Sequence, residues 1–172
     1  MLKTLRQIGR VGLISEAPAP TDDSLRVREE LQSQILEIMG RALCIRAVDA
    51  GSCNGCELEI HALGNPIYNI EGLGIRFVAS PRHADLLLVT GPVSKHMQQA
   101  LLRTYAATPN PKLVVAIGDC GCTGGIFGES GASLGRVANV IPVHVAVPGC
   151  PPSPTRIMSG ILTAISSGRR PP

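Results

Sequence analysis

The chain of 172 residues has no tryptophan, only two tyrosines and two phenylalanines, so aromatics amount to 2 %. That scarcity excludes a surface that binds single-stranded nucleic acid by stacking bases on exposed rings. Charge is sparse as well, with 17 % charged residues and a formal net charge of +3, and gives no basic footprint for nucleic acid. The longest stretch free of Asp, Glu, Lys and Arg, residues 137–155, holds five prolines and cannot form a regular spanning helix. The opening segment MLKTLRQIGRVGLISEAPAP is broken by Lys3, Arg6 and Arg10, so it lacks the unbroken apolar core of a signal peptide. A twin-arginine signal is missing too, since the one Arg-Arg pair is Arg169–Arg170. A soluble chain on the cytoplasmic side is expected, its thiols reduced or metal-bound rather than paired as disulfides.

What is present suffices for one domain with a real core, because hydrophobic residues make up 44 %. Nineteen glycines and fourteen prolines are too many for a helical bundle. Residues 1–42 read as an N-terminal extension. Within it, residues 1–14 place Leu2, Leu5, Ile8 and Val11 at helical spacing among basic residues, a pattern shared by surface-lying helices and by frayed termini. Ala17–Asp23 reads as a linker, with Asp22, Asp23 or Ser24 as N-cap for the next helix. Over Leu25–Ala42 the set Leu31, Ile35, Ile38, Met39 and Ala42 marks one apolar helix face. That face fits the chain's own core, a subunit or lipid equally well.

Residues 43–168 read as an α/β domain. Apolar runs suited to buried parallel strands are Leu43–Val48, Ile75–Ala79, Leu86–Thr90, Leu113–Ile117 and Val143–Val147. Helices are predicted over Glu57–Leu63, Ser94–Ala107 and Thr155–Ser166. The alternation implies a flavodoxin-like, doubly wound parallel sheet with right-handed crossovers.

The six cysteines give the chemistry. Cys53 and Cys56 follow the first strand, Cys120 the fourth and Cys150 the fifth. Ligands of open parallel sheets bind beyond the carboxyl ends of the strands, so these four thiols are expected at one sheet edge. Structural zinc usually takes two local Cys-x-x-Cys knuckles, whereas here one such pair joins two single cysteines from distant loops. A 4Fe–4S cluster takes its four thiolates from separated segments, and the glycines of GSCNGC, GDCGCTGG and PGCPP allow backbone N–H groups near its sulfurs. Iron–sulfur is therefore favoured, with a non-redox zinc scaffold as the alternative. Cys44, inside the first strand, reads as a small buried hydrophobe, and Cys122 as a neighbouring thiol or an alternative ligand to Cys120.

GSCNGCELEI, PRHADLLLVTGPV, GDCGCTGGIF and PVHVAVPGCPPSP, in this order over roughly residues 25–166, resemble the small subunit of energy-converting, group 4 nickel–iron hydrogenases, formate hydrogenlyase included. More distantly they resemble the cluster-bearing 20 kDa subunit of complex I. The resemblance implies one 4Fe–4S cluster proximal to a partner's active site, with Cys53, Cys56, Cys120 and Cys150 as ligands. It implies a relay that passes electrons from a ferredoxin-like iron–sulfur subunit to a nickel–iron large subunit, for proton reduction or hydrogen oxidation. Membrane-arm subunits complete the implied assembly, which sits peripherally on the cytoplasmic side of the inner membrane. The complex I branch, with a 49 kDa-like partner and quinone as acceptor, carries two adjacent cysteines where this chain has Asn54 and Gly55 between Cys53 and Cys56. His144 stands where these families usually have an acidic residue, and PPSPTR follows where the complex I branch has Pro-Pro-Arg-Pro-Glu.

Remaining candidates are modest. Glu57 and Glu59 could move protons near the partner's site, although carboxylates in a first helical turn ordinarily meet solvent or cap the helix. His61, His83, His96 and His144 lack metal-ligand spacing and read as structural. Arg76, Arg82 and His83 are surface charges or subunit contacts. GDCGCTGG lacks the Lys-Ser/Thr ending of a phosphate-binding loop.

Overall fold

The computed structural model describes residues 22–167; the amphipathic pattern of residues 1–14 and most of the expected linker fall outside them. In chain order the elements are α1 (Asp22–Met39), β1 (Leu43–Asp49), α2 (Gly55–Ala62), β2 (Ile75–Phe77), β3 (Leu86–Thr90), α3 (Lys95–Ala107), β4 (Leu113–Ile117), α4 (Gly118–Thr123), β5 (Val145–Val147) and α5 (Pro154–Ser167). All strand pairs are parallel, in the order β2-β1-β3-β4-β5. This is the flavodoxin-like order, and the chain reverses its direction of winding between β1 and β3.

Strand side chains alternate between two cores, as the pleat requires. Leu43 and Ile45 of β1, Leu86 and Leu88 of β3, and Val115 and Ile117 of β4 join α1, α2 and α5 in one core. Val48, Leu87, Val89, Val114 and Ala116 join Leu101 of α3, Val137 and Ile141 in the other. Each buried Val, Leu or Ile among them contributes about 1.5–3 kcal/mol by leaving water.

The amphipathic face of α1 docks on the chain's own core. Leu31 and Ile35 are buried there, and the hydroxyl of Ser166 on α5 donates to Gln34 Oε1 at 2.6 Å. α1 begins at Asp22 and ends at Met39, short of Ala42. Ser94 caps α3 instead of belonging to it, its Oγ accepting from Met97 N at 3.2 Å.

Other boundaries shift for identifiable reasons. β2 stops at Phe77, two residues early, since the chain turns into a short 3₁₀ segment at Pro81. β5 begins at Val145 because the ring Nδ1 of His144, not a main-chain carbonyl, accepts from Val114 N at 3.0 Å. Helix α4 arises where a glycine-rich loop was expected. Cys44 is half-buried rather than buried. It lines a hollow of ≈ 570 Å³ at the amino end of the sheet, beside Arg82 and the Arg41–Asp85 ion pair.

Candidate functional site

Three strand ends build the site. At the end of β1, Asp49 Oδ1 accepts from the amides of Gly51 and Ser52, both at 2.8 Å, and folds the chain back. Ser94 N donates to Ala50 O at 2.8 Å and ties this loop to the one after β3. Gly91 lets the two loops touch, for at its φ of +77° a β-carbon would stand 2.6 Å from Ser52 N. Cys53 then emerges exposed, Asn54 turns through a left-handed conformation, and Cys56 enters the first turn of α2.

At the end of β4, Gly118 (φ +82°) turns directly into α4, which carries Cys120. After β5, Gly149 leads to the exposed Cys150 and a cis peptide to Pro151. Asp119 joins the two segments from both ends: its amide donates to Gly149 O at 2.9 Å, and its Oδ1 accepts from Gly149 N at 2.8 Å. Glycines clear space for sulfur. A β-carbon on Gly118 would stand 2.5 Å from Cys56 Sγ, and one on Gly125 would stand 2.8 Å from Cys120 Sγ.

Cys56 and Cys120 both feel the charge of the neighbouring thiols. Cys56 is pushed up from 9.0 to about 12, first by burial, then by Glu57, Cys53, Cys120 and Cys150. Cys120 is raised by burial, Cys150, Cys53 and Asp119. Every charged neighbour acting on these two thiols is therefore an acid, and positive charge placed among them would be strongly favoured. Yet among the described residues no three Cys, His, Asp or Glu side chains converge as ligands of one ion. All six cysteines are free thiols. Cys122 turns away: its thiol donates to Ala116 O at 3.6 Å, packs against the second core, and is raised to about 11, chiefly by burial.

Glu57 is neither solvated nor capping. Both its carboxylate oxygens are buried without a hydrogen-bond partner, beside a cavity of ≈ 500 Å³ that Arg46, Asp49, His61, Phe77 and Thr90 also line. Glu59 is half-buried. His144 has the structural role expected of it, while His61, His83 and His96 are exposed. Large apolar side chains stand uncovered near the thiols in sequence: Leu58 at 60 % exposure, Ile126 at 94 % and Phe127 at 55 %. Asp49 and Asp119, which shape the loops, carried no signal in the sequence beyond their place at strand ends.

The model of the NADH–ubiquinone oxidoreductase 20 kDa subunit family matches residues 53–164, a stretch that begins at Cys53 and contains all four grouped thiols. The chain belongs to this family. A probable membrane-bound hydrogenase subunit of Pyrococcus furiosus is 44 % identical over 146 residues, 84 % of this chain and 87 % of that one. Formate hydrogenlyase subunit 7 of Escherichia coli is 38 % identical over 148 residues, 86 % of this chain but 57 % of its own length. Among solved structures, a chain of the membrane-bound sulfane sulfur reductase, an archaeal respiratory membrane complex, aligns with a TM-score of 0.65 at 31 % identity, over 81 % of this chain and 78 % of its own. The expected kinship with hydrogenase and complex I subunits holds, and this 20 kDa-family member is of oxidoreductase type. Among the described residues no helix is long and apolar enough to cross a membrane.

Proposed function

We propose that the chain is the electron-transfer subunit of a membrane-associated nickel–iron hydrogenase complex, holding one 4Fe–4S cluster on Cys53, Cys56, Cys120 and Cys150. The observation that carries this reading is the convergence of four thiols from three strand ends, with glycines at the places where a β-carbon would displace a sulfur. A cubane gives each thiolate its own iron, so its ligands need not meet at a common ion.

When bound, such a cluster takes up and releases one electron at a time. The chain's own residues supply the setting. Gly118 and Gly125 leave room for the thiols, and the first turn of α2 brings backbone N–H dipoles beside negative charge. Leu58, Ile126 and Phe127 offer an apolar rim for the large subunit to cover, which excludes water from the electron path. The partners in this reading are the nickel–iron large subunit, a ferredoxin-like iron–sulfur subunit and membrane-arm subunits, on the cytoplasmic side of the membrane. Glu57, held beside Cys56 with its carboxylate unpaired, is the better of the two candidates for a proton carrier.

Anaerobic purification with iron, sulfide and zinc analysis, and EPR of the reduced protein, tests the proposal. Iron and sulfide in equal amounts with a reduced-cluster EPR signal are expected; zinc without iron or sulfide would overturn it. In the complex I-type reading the same cluster donates to quinone. A large-subunit gene neighbour lacking the two Cys-x-x-Cys nickel motifs would favour that reading.

A further inference from the structure

The proposed ligands that follow β4 and β5 lie thirty residues apart, Cys120 in α4 against Cys150 in the loop after β5, and among the described residues no disulfide or ion pair joins their segments. The β4–β5 ladder ends at Ile117 and Val147, and beyond it, next to the two ligands, Asp119 makes the link. Asp119 grips Gly149 through both its main chain and its side chain, at 2.9 and 2.8 Å. Each partner of this contact immediately precedes a proposed ligand. We infer that Asp119 is a positioning residue for the cluster: it fixes the separation and relative orientation of Cys120 and Cys150 before any iron arrives. The inference rests on the ligand assignment proposed above.

Local features support a latch rather than an incidental contact. Gly149 sits at φ +143°, where a β-carbon would collide with Pro152 at 2.6 Å, so its peptide group faces Asp119 without a side chain of its own. Asp119 is itself held within α4, its carbonyl accepting from Thr123 Oγ1 at 2.8 Å. β5 is only three residues long and pairs with β4 alone, so the ladder itself stops short of Cys150. Gly149 N uses only an acceptor oxygen of this carboxylate, which an amide can replace.

This makes a sharp test. In the complex purified anaerobically with its partners, Asp119→Asn keeps an oxygen facing Gly149 N, whereas Asp119→Ala removes it. Cluster loss is followed by the decay of visible absorption and reduced-state EPR amplitude after addition of an iron chelator. Asp119→Ala is expected to lose its cluster about 10-fold faster or more, the range seen when residues supporting metal ligands are removed. Asp119→Asn should decay at the wild-type rate with the wild-type EPR line shape. The inference is overturned if Asp119→Ala decays like wild type, or if Asp119→Asn decays as fast as Asp119→Ala. Wild-type complex without iron and sulfide would overturn the ligand assignment itself, and the latch with it.

Discussion

Gly118 and the sulfur of Cys56 meet so closely that a single methyl group on Gly118 would stand 2.5 Å from Sγ. Strand β4 thereby reaches under the first turn of α2. Gly118→Ala is expected to dislodge Cys56 and lower iron content, and the left-handed φ of +82° adds about 1–2 kcal/mol of backbone strain. Iron analysis together with chemical denaturation measures both effects.

Cysteine replacements separate ligands from packing. Cys53→Ala, Cys56→Ala, Cys120→Ala and Cys150→Ala should each abolish the reduced-cluster EPR signal. Cys44→Ala, at the other end of β1, and Cys122→Ala, packed into the second core, should retain it. Loss of signal in Cys122→Ala with retention in Cys120→Ala would reverse the assignment of that pair.

Stability of the metal-free chain should fall in alkali. Cys56 is raised from 9.0 to about 12, so between those values the folded chain holds a proton that the unfolded chain has released. With fewer protons on the unfolded state, unfolding free energy declines as pH rises, and the contribution is complete below pH 9. Urea midpoints measured at about pH 8 and about pH 11 should show the decline. Cluster binding requires thiolates and should release protons, most of all from Cys56.

His144 replaces a main-chain acceptor. His144→Ala strands the buried amide of Val114 and should cost about 1–3 kcal/mol, while His144→Asp supplies another acceptor and should cost much less. Equal destabilisation by the two variants, read from denaturant midpoints, would show that the ring acts through packing instead.

Gly160 lies on α5 where a β-carbon would run into the side chain of Val147 on β5. Gly160→Ala should lose about 1–3 kcal/mol by overpacking, despite alanine's better helix propensity. A stabilised variant in thermal unfolding would contradict the fit of α5 on the sheet.

Much of this was legible from hydrophobic runs and cysteine positions. Leu86–Thr90 and Leu113–Ile117 match the observed strands because both are buried on two faces and leave a continuous apolar signature. The placement of Cys53, Cys56, Cys120 and Cys150 at one edge followed from parallel topology alone. Helix α4 was hidden because GDCGCT has the composition of a turn, and tertiary contacts to β3, β4 and β5 hold it helical. The Asp119–Gly149 contact spans thirty residues and leaves no periodic trace. Glu57 looked like an ordinary first-turn carboxylate, and only packing around α2 reveals that its oxygens are buried.

The division of alternate strand residues between two cores makes each strand a ruler. Inserting one residue within β4 would carry every β4 side chain beyond it to the opposite core, whereas two would return them to the same core, displaced along the strand. A change of β4 length is therefore compatible with both cores only in even steps.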